Sequence, residues 1–118
     1  METPIGSVAI LEPADGAAVT GPDVMVRLTS SDIQIIPAGE MIPGAGHHHL
    51  LLDADLADDR LAPVPTVPGS IVHLSDGASE FTFEGVAPGQ HRLIAVVSDG
   101  VHMPLYPWVV DTVTFTVR

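Results

Sequence analysis

Cysteine is absent from the 118 residues of this chain. That excludes a disulfide framework, a thiolate nucleophile and any metal site built on sulfur anions, a blue-copper centre included. Lysine is absent too, and four arginines face 15 acidic side chains, for a formal net charge of −11. A chain so short of positive charge lacks the basic patch that holds nucleic acid or an anionic membrane, so neither is expected as a partner, whereas cations are attracted. Aromatic residues are few, with one Trp and one Tyr. No apolar run nears the roughly 20 residues that span a bilayer, so membrane insertion is not expected. Residues 1–6 carry neither the basic nor the apolar region of a secretory signal, which points to a cytoplasmic protein or to a mature form begun at Met1. Phosphate-binding glycine loops, dinucleotide fingerprints and calcium loops are missing as well, so no nucleotide or flavin is expected.

The length suggests one domain over residues 1–118, able to bury roughly two-thirds of its unfolded surface. Hydrophobic residues make up 46% of the chain. That is high for a chain with no membrane span, and a continuously buried sheet or a homo-oligomer interface would absorb the excess. Eleven glycines and eleven prolines fall in clusters, which leaves little room for helix. Residues 7–12 read as a first strand. Val24, Val26 and Leu28 alternate with Asp23, Met25 and Arg27, the pattern of a half-buried strand. Residues 33–36 form a short apolar run, 37–46 a loop, 48–53 a central strand, and 54–69 a long surface excursion with one helical turn expected at 55–59. Residues 71–74 and 79–84 read as a hairpin across 75–78. Two final strands follow at 91–98 and 109–117. Short strands with regular turn signals predict an all-β, immunoglobulin-like antiparallel β-sandwich of about seven to eight strands.

Three consecutive histidines, His47, His48 and His49, precede Leu50, Leu51, Leu52 and Asp53. On an extended strand side chains alternate. His47, His49, Leu51 and Asp53 then share one face, and His48, Leu50 and Leu52 the other. The Asp53 face reads as the wetter one, so His47 and His49 form an outward pair able to chelate one ion. The bland alternative is a core histidine flanked by two surface ones. His73 ends a strand before a turn, and His102 sits in the loop joining the last two strands. Histidines at strand ends of a sandwich often converge at one end, so His47, His49, His73 and His102 are the candidate metal ligands. Met103 adds a thioether beside His102, and a His-plus-Met set favours copper, with zinc as the near neighbour. Affinity should then fall as pH drops through about 6, because neutral imidazole is the binding form.

The stretch 44–53 (GAGHHHLLLD), then His73, then Asp99 with His102, Met103 and Pro104, resembles the bacterial family known as domain of unknown function 4399. The similarity runs from about Glu12 to the C-terminus. It implies a small, histidine-rich, immunoglobulin-like domain, usually exported, hence periplasmic or secreted, without an established activity. Ile71 and Leu105 stand where that family tends to have further histidines, and Ala78 and Ser79 where Gln-Thr usually follows the glycine turn. These changes imply a reduced metal site or a pocket for a small apolar molecule. Residues 12–19 (EPADGAAV) and 88–93 (PGQHRL) resemble bacterial immunoglobulin-like domains more generally. In the second pattern the aromatic plugs a corner between strands, which assigns His91 to structure.

Nucleophilic catalysis finds little support, since no G-x-S-x-G stands in the chain and Ser70, Ser75 and Ser98 occupy ordinary turn positions. Acid–base catalysis is the second reading. It takes His102 with Asp99, or His73 with Asp76, in a pocket lined by Met103, Tyr106 and Trp108. Against it, Asp99 reads more readily as the cap of a turn. A third reading is a structural or assembly module whose histidines pack and hydrogen-bond.

Overall fold

The structure is a computed structural model that describes residues 4–56, 63–74 and 76–118. Nine strands are described: β1 Ser7–Glu12, β2 Ala17–Val19, β3 Val24–Ser31, β4 Gln34–Ile35, β5 Ala45–Leu52, β6 Ile71–His73, β7 Glu80–Phe83, β8 Gly89–Ser98 and β9 Val110–Val117. They form two sheets. The smaller has the order β1-β3-β7, and the larger runs β2-β9-β8-β5, with β4 and β6 both pairing along the free edge of β5. No helix occurs among the described residues.

The two sheets face each other across one main core. β3 supplies Val24, Val26 and Leu28 to it and leaves Met25, Arg27 and Thr29 exposed; β9 supplies Val113, Phe115 and Val117. This is the period-two pattern of a sheet with one wet face. β5 and the second half of β8 differ, being buried at every position. Their inward residues, Leu50, Leu52, Leu93, Ala95 and Val97, join the main core. Their outward residues, Leu51, Ile94 and Val96, form a second, smaller core with Ile71 and Val64, against which Ala54 and Leu56 pack. The outer face of β5 and β8 is therefore roofed by the chain that follows β5.

Two expectations change here. Residues 71–74 and 79–84 do not pair as a hairpin, because β6 joins β5 in the larger sheet and β7 joins β3 in the smaller. The Asp76-Gly77 turn carries the chain between layers instead. The central strand starts at Ala45 rather than at His48, as β4 pairs in parallel with Ala45 and Gly46. Gly46 permits the tight fit of β5 on β8, since a Cβ there would stand 2.4 Å from the Ser98 carbonyl oxygen. The helical turn expected at 55–59 falls largely outside the described residues.

Candidate metal centre

The histidine faces follow the pleat. His48 shares the inward face with Leu50 and Leu52, and His47 and His49 point outward with Leu51. The outward face is not wet, however: His47 and His49 are fully buried, as is His48 on the inward face, and the outward pair lies next to the roof over the second core. Strand register brings in the next two groups. His49 pairs with His73 on β6, and His47 pairs with Ser98 on β8. His102 arrives from the β8–β9 loop.

That loop is held from several sides. Asp99 Oδ1 accepts hydrogen bonds from the backbone N–H groups of Val101 and Met103, at 3.0 and 3.1 Å. The His102 N–H donates to the Asp99 carbonyl, and the Val64 N–H donates to the His102 carbonyl at 2.8 Å. Gly100 packs directly on the loop before β5, where an added Cβ would come within 2.2 Å of the Glu40 carbonyl oxygen. His102 itself takes a left-handed conformation, φ 67°. Outside glycine this is an uncommon state that histidine tolerates better than most residues.

Three ring nitrogens converge. His47 Nε2 lies 3.0 Å from His102 Nδ1 and 2.8 Å from His49 Nε2. His49 Nε2 also lies 2.7 Å from Ser98 Oγ. One nitrogen from each of His47, His49 and His102 falls within 4.8 Å of the other two, so the three form a group able to hold one metal ion. An imidazole nitrogen has one in-plane position, filled by a proton or a lone pair. It can satisfy one strong hydrogen bond, yet His47 Nε2 and His49 Nε2 each have two close neighbours. A cation at the point of convergence resolves the conflict by taking a lone pair from every ring. Bonds of 2.0–2.1 Å in a tetrahedral site put donor nitrogens about 3.3 Å apart, so the cage needs to open by a few tenths of an ångström.

Burial keeps these rings neutral. It pushes His47 down to about 4, aided by the neighbouring His102 and His73 and opposed by Asp99. It pushes His49 down to about 2, with His73, His47 and His102 adding to the effect. His102 is lowered as well, by burial and then by His73. Neutral imidazole is the form that ligates a metal.

His73 joins the cluster in a different way from the other three. Its ring stacks on His49 at 4.1 Å and 19° and lies 4.5 Å from the His102 ring. A ring donates in its own plane, and His73 is not part of the group whose ligand atoms converge. His73 Nε2 instead donates to the Pro65 carbonyl at 3.0 Å, with Thr66 Oγ1 at 3.3 Å. The other candidates take separate positions. His48 has no hydrogen-bond partner on either ring nitrogen among the described residues. His91 is a corner residue: it contacts Asp53 Oδ2 through Nδ1 at 2.5 Å, donates to the Ala87 carbonyl through Nε2 and stacks on Phe115. The Asp53 hydrogen bond raises its pKa. Asp99 and Asp76 both cap turns with Oδ1. Met103 and Trp108 are half-buried, and Tyr106 is exposed. Two clefts lie beside the cluster. One is lined by Met41, Ile42, Pro43, Asp99 and Leu105 among others, the second by Leu51, Leu56, Val64, Pro65 and Pro104 among others, and neither includes Met103, Tyr106 or Trp108.

Ser98 is the site residue that the sequence reading passed over as a turn serine. It ends β8 with no exposed surface. Its alternation with Ile94 and Val96 is the signal that puts it on the face of His47 and His49. The roofing contacts of Val64, Pro65 and Thr66 leave no comparable pattern.

Comparison with known proteins supports this architecture. The family description "Domain of unknown function (DUF4399)" matches residues 26–118. No curated protein matches the chain. Among solved structures, a fibronectin(III)-like module of CbhA from Clostridium thermocellum is similar with a TM-score of 0.55 at 16% identity, over 94% of this chain and 96% of that one. An engineered protein from the Northeast Structural Genomics Consortium is similar with a TM-score of 0.53 at 13% identity, over 96% of this chain and 20% of that one. The chain thus spans about a fifth of the engineered protein's length. At such identities the likeness concerns the fold, an immunoglobulin-like sandwich.

Proposed function

We propose that this chain, which belongs to the DUF4399 family, binds a transition-metal ion through His47, His49 and His102, copper ahead of zinc. The observation that carries the reading is the convergence of three neutral imidazole nitrogens, two of which have more close neighbours than hydrogen bonding can satisfy. The donor type narrows the ion. All-nitrogen sets suit copper, zinc, nickel and iron, and within the divalent series affinity peaks at copper. His73 and Ser98 act as supports, one by stacking on His49 and the other by contact with its Nε2.

The test is elemental analysis and calorimetric titration of protein purified without an affinity tag. One ion per chain is expected. His49→Ala or His102→Ala should weaken binding by at least about a hundredfold, given that loss of mere outer-shell partners costs 10–100-fold. His91→Ala should leave binding unchanged. A chain that takes up no stoichiometric metal, with His47, His49, His102 and Ser98 acting as a hydrogen-bonded cluster, would overturn the reading. Self-association belongs to the same proposal, because four exposed apolar residues stand on the loops around the centre, Met41 and Ile42 on one and Val101 and Tyr106 on the other, while Ile5, Leu11, Met25, Val67 and Val110 lie elsewhere.

A further inference from the structure

We infer that the centre is selective for a monovalent d10 ion, Cu(I), over Zn(II) and Cu(II); this rests on the metal-binding reading above and adds the valence of the cargo. Three observations carry it.

The donors bring no charge. The group of converging ligand atoms contains three histidines and no carboxylate. Asp99 is the acidic residue in the ligand loop, and its Oδ1 is committed to the N–H groups of Val101 and Met103. Ser98 contributes a hydroxyl, which is neutral. The strand side of the site is also dry, while His102 on the loop side is half-buried. His47, His49 and Ser98 have no exposed surface, and the roof beside them is the apolar cluster of Leu51, Val64, Ile71, Ile94 and Val96. The cost of placing an ion in such a medium rises with the square of its charge, so it is about four times greater for a divalent ion than for a monovalent one. Neutral donors leave that charge uncompensated by any ligand, and Asp99, acting on His47 and His102 from outside the ligand group, offsets only part of it. The chain's net charge of −11 attracts either ion from solution, but through water and salt it does not discriminate between them at the site.

The donor number points the same way. Cu(I) is content with three nitrogens in a plane. Zn(II) with three imidazoles completes its shell with a fourth ligand, commonly water, which the buried walls of His47, His49 and Ser98 disfavour, and Cu(II) prefers a tetragonal set. The fourth ring of the cluster, His73, is stacked parallel to His49 and hydrogen-bonded to Pro65. It does not offer a lone pair to the same point.

The experiment compares three ions on one untagged protein: Cu(I), held reduced by ascorbate and competed with bicinchoninate, and Zn(II) and Cu(II) by direct titration. Cu(I) is expected to bind one per chain, at least a hundredfold more tightly than Zn(II). X-ray absorption of that complex should show three nitrogen neighbours. His102→Asp supplies the missing charge on a half-buried loop position. It should shift the ratio of Zn(II) to Cu(I) affinity upward by tenfold or more, and circular dichroism establishes that the variant remains folded. Equal or tighter binding of Zn(II) or Cu(II) to the unaltered chain at these histidines would overturn the valence inference while leaving metal binding intact. Failure of all three ions to bind would overturn both.

Discussion

His48 is the residue that a metal does not explain. It lies on the inward face of β5 beside Leu50, fully buried, with neither ring nitrogen hydrogen-bonded among the described residues. Burial alone holds it neutral and lowers its pKa from 6.5 to about 4. The unfolded chain therefore binds this proton first as pH falls. Stability is fully present above about pH 6.5, declines as pH drops toward 4, and levels off below that, a loss of about 3 kcal/mol from this one group. His48→Leu should remove that loss. It should also stabilise the protein at pH 7 by about 1–2 kcal/mol, because it replaces unpaired polar atoms with an apolar side chain of similar size. Denaturant unfolding at pH 7 and pH 4.5 tests both halves; a variant less stable than the parent at both values would show that His48 has a polar partner. His91 works in the opposite sense, since its raised pKa gives stability below about 6.5 that is lost as pH rises through the folded value. For the ligands themselves, burial moves proton competition downward. Metal affinity should persist below the pH of about 6 expected for free imidazole and fall nearer pH 4, where His47 titrates.

At the level of elements, the centre joins a strand to a loop, and the loop is the softer half. Asp99→Ala removes the acceptor for two N–H groups that shape the turn around His102. It should cost about 1–2 kcal/mol of stability. Metal affinity should fall about tenfold with the three ligands untouched, and full affinity in this variant would show that the ion itself orders the loop. Gly100 imposes the same dependence sterically, through its contact with Glu40. The strands were legible in the sequence where burial is a local property. Val24, Val26 and Leu28 show their sidedness within five residues, and the alternation of His47 and His49 against His48 gives the right faces. What the sequence did not reveal was which strand lies beside which. The runs at 71–74 and 79–84 flank a good turn and read as partners, yet their pairing is decided by what β5 and β3 leave open. β2 and β4, three and two residues long, carry no periodicity that could announce them. The dryness of the site escaped for the same reason. Asp53 marks a wet strand end, and nothing in 47–53 indicates that Val64 and its neighbours return to cover the face.

On the scale of the whole molecule, the excess of apolar residues divides between two destinations. β5 and β8 absorb part of it by being buried on both faces. The remainder stays exposed, with Met41 at 62%, Val101 at 54% and Tyr106 at 52%. Contiguous apolar patches of more than a few hundred Å² usually mark contact surfaces. Loops 37–44 and 99–106 lie against each other through Gly39 and Gly100, so these exposed side chains stand on adjoining loops. A concentration-dependent dimer is expected in sedimentation velocity, weakened by Met41→Asp or Tyr106→Asp; a clean monomer at high concentration would refute it. A last consequence follows from the distance in sequence between the ligands. His47 and His102 are 55 residues apart, so an ion held between them ties the middle of the chain to its last loop. In polymer terms that is a removable cross-link, and closing a loop of this size withdraws about 4 kcal/mol of entropy from the unfolded ensemble. With the proposed ion bound, a protein without a single cysteine would have a staple that a chelator opens and a trace of metal closes.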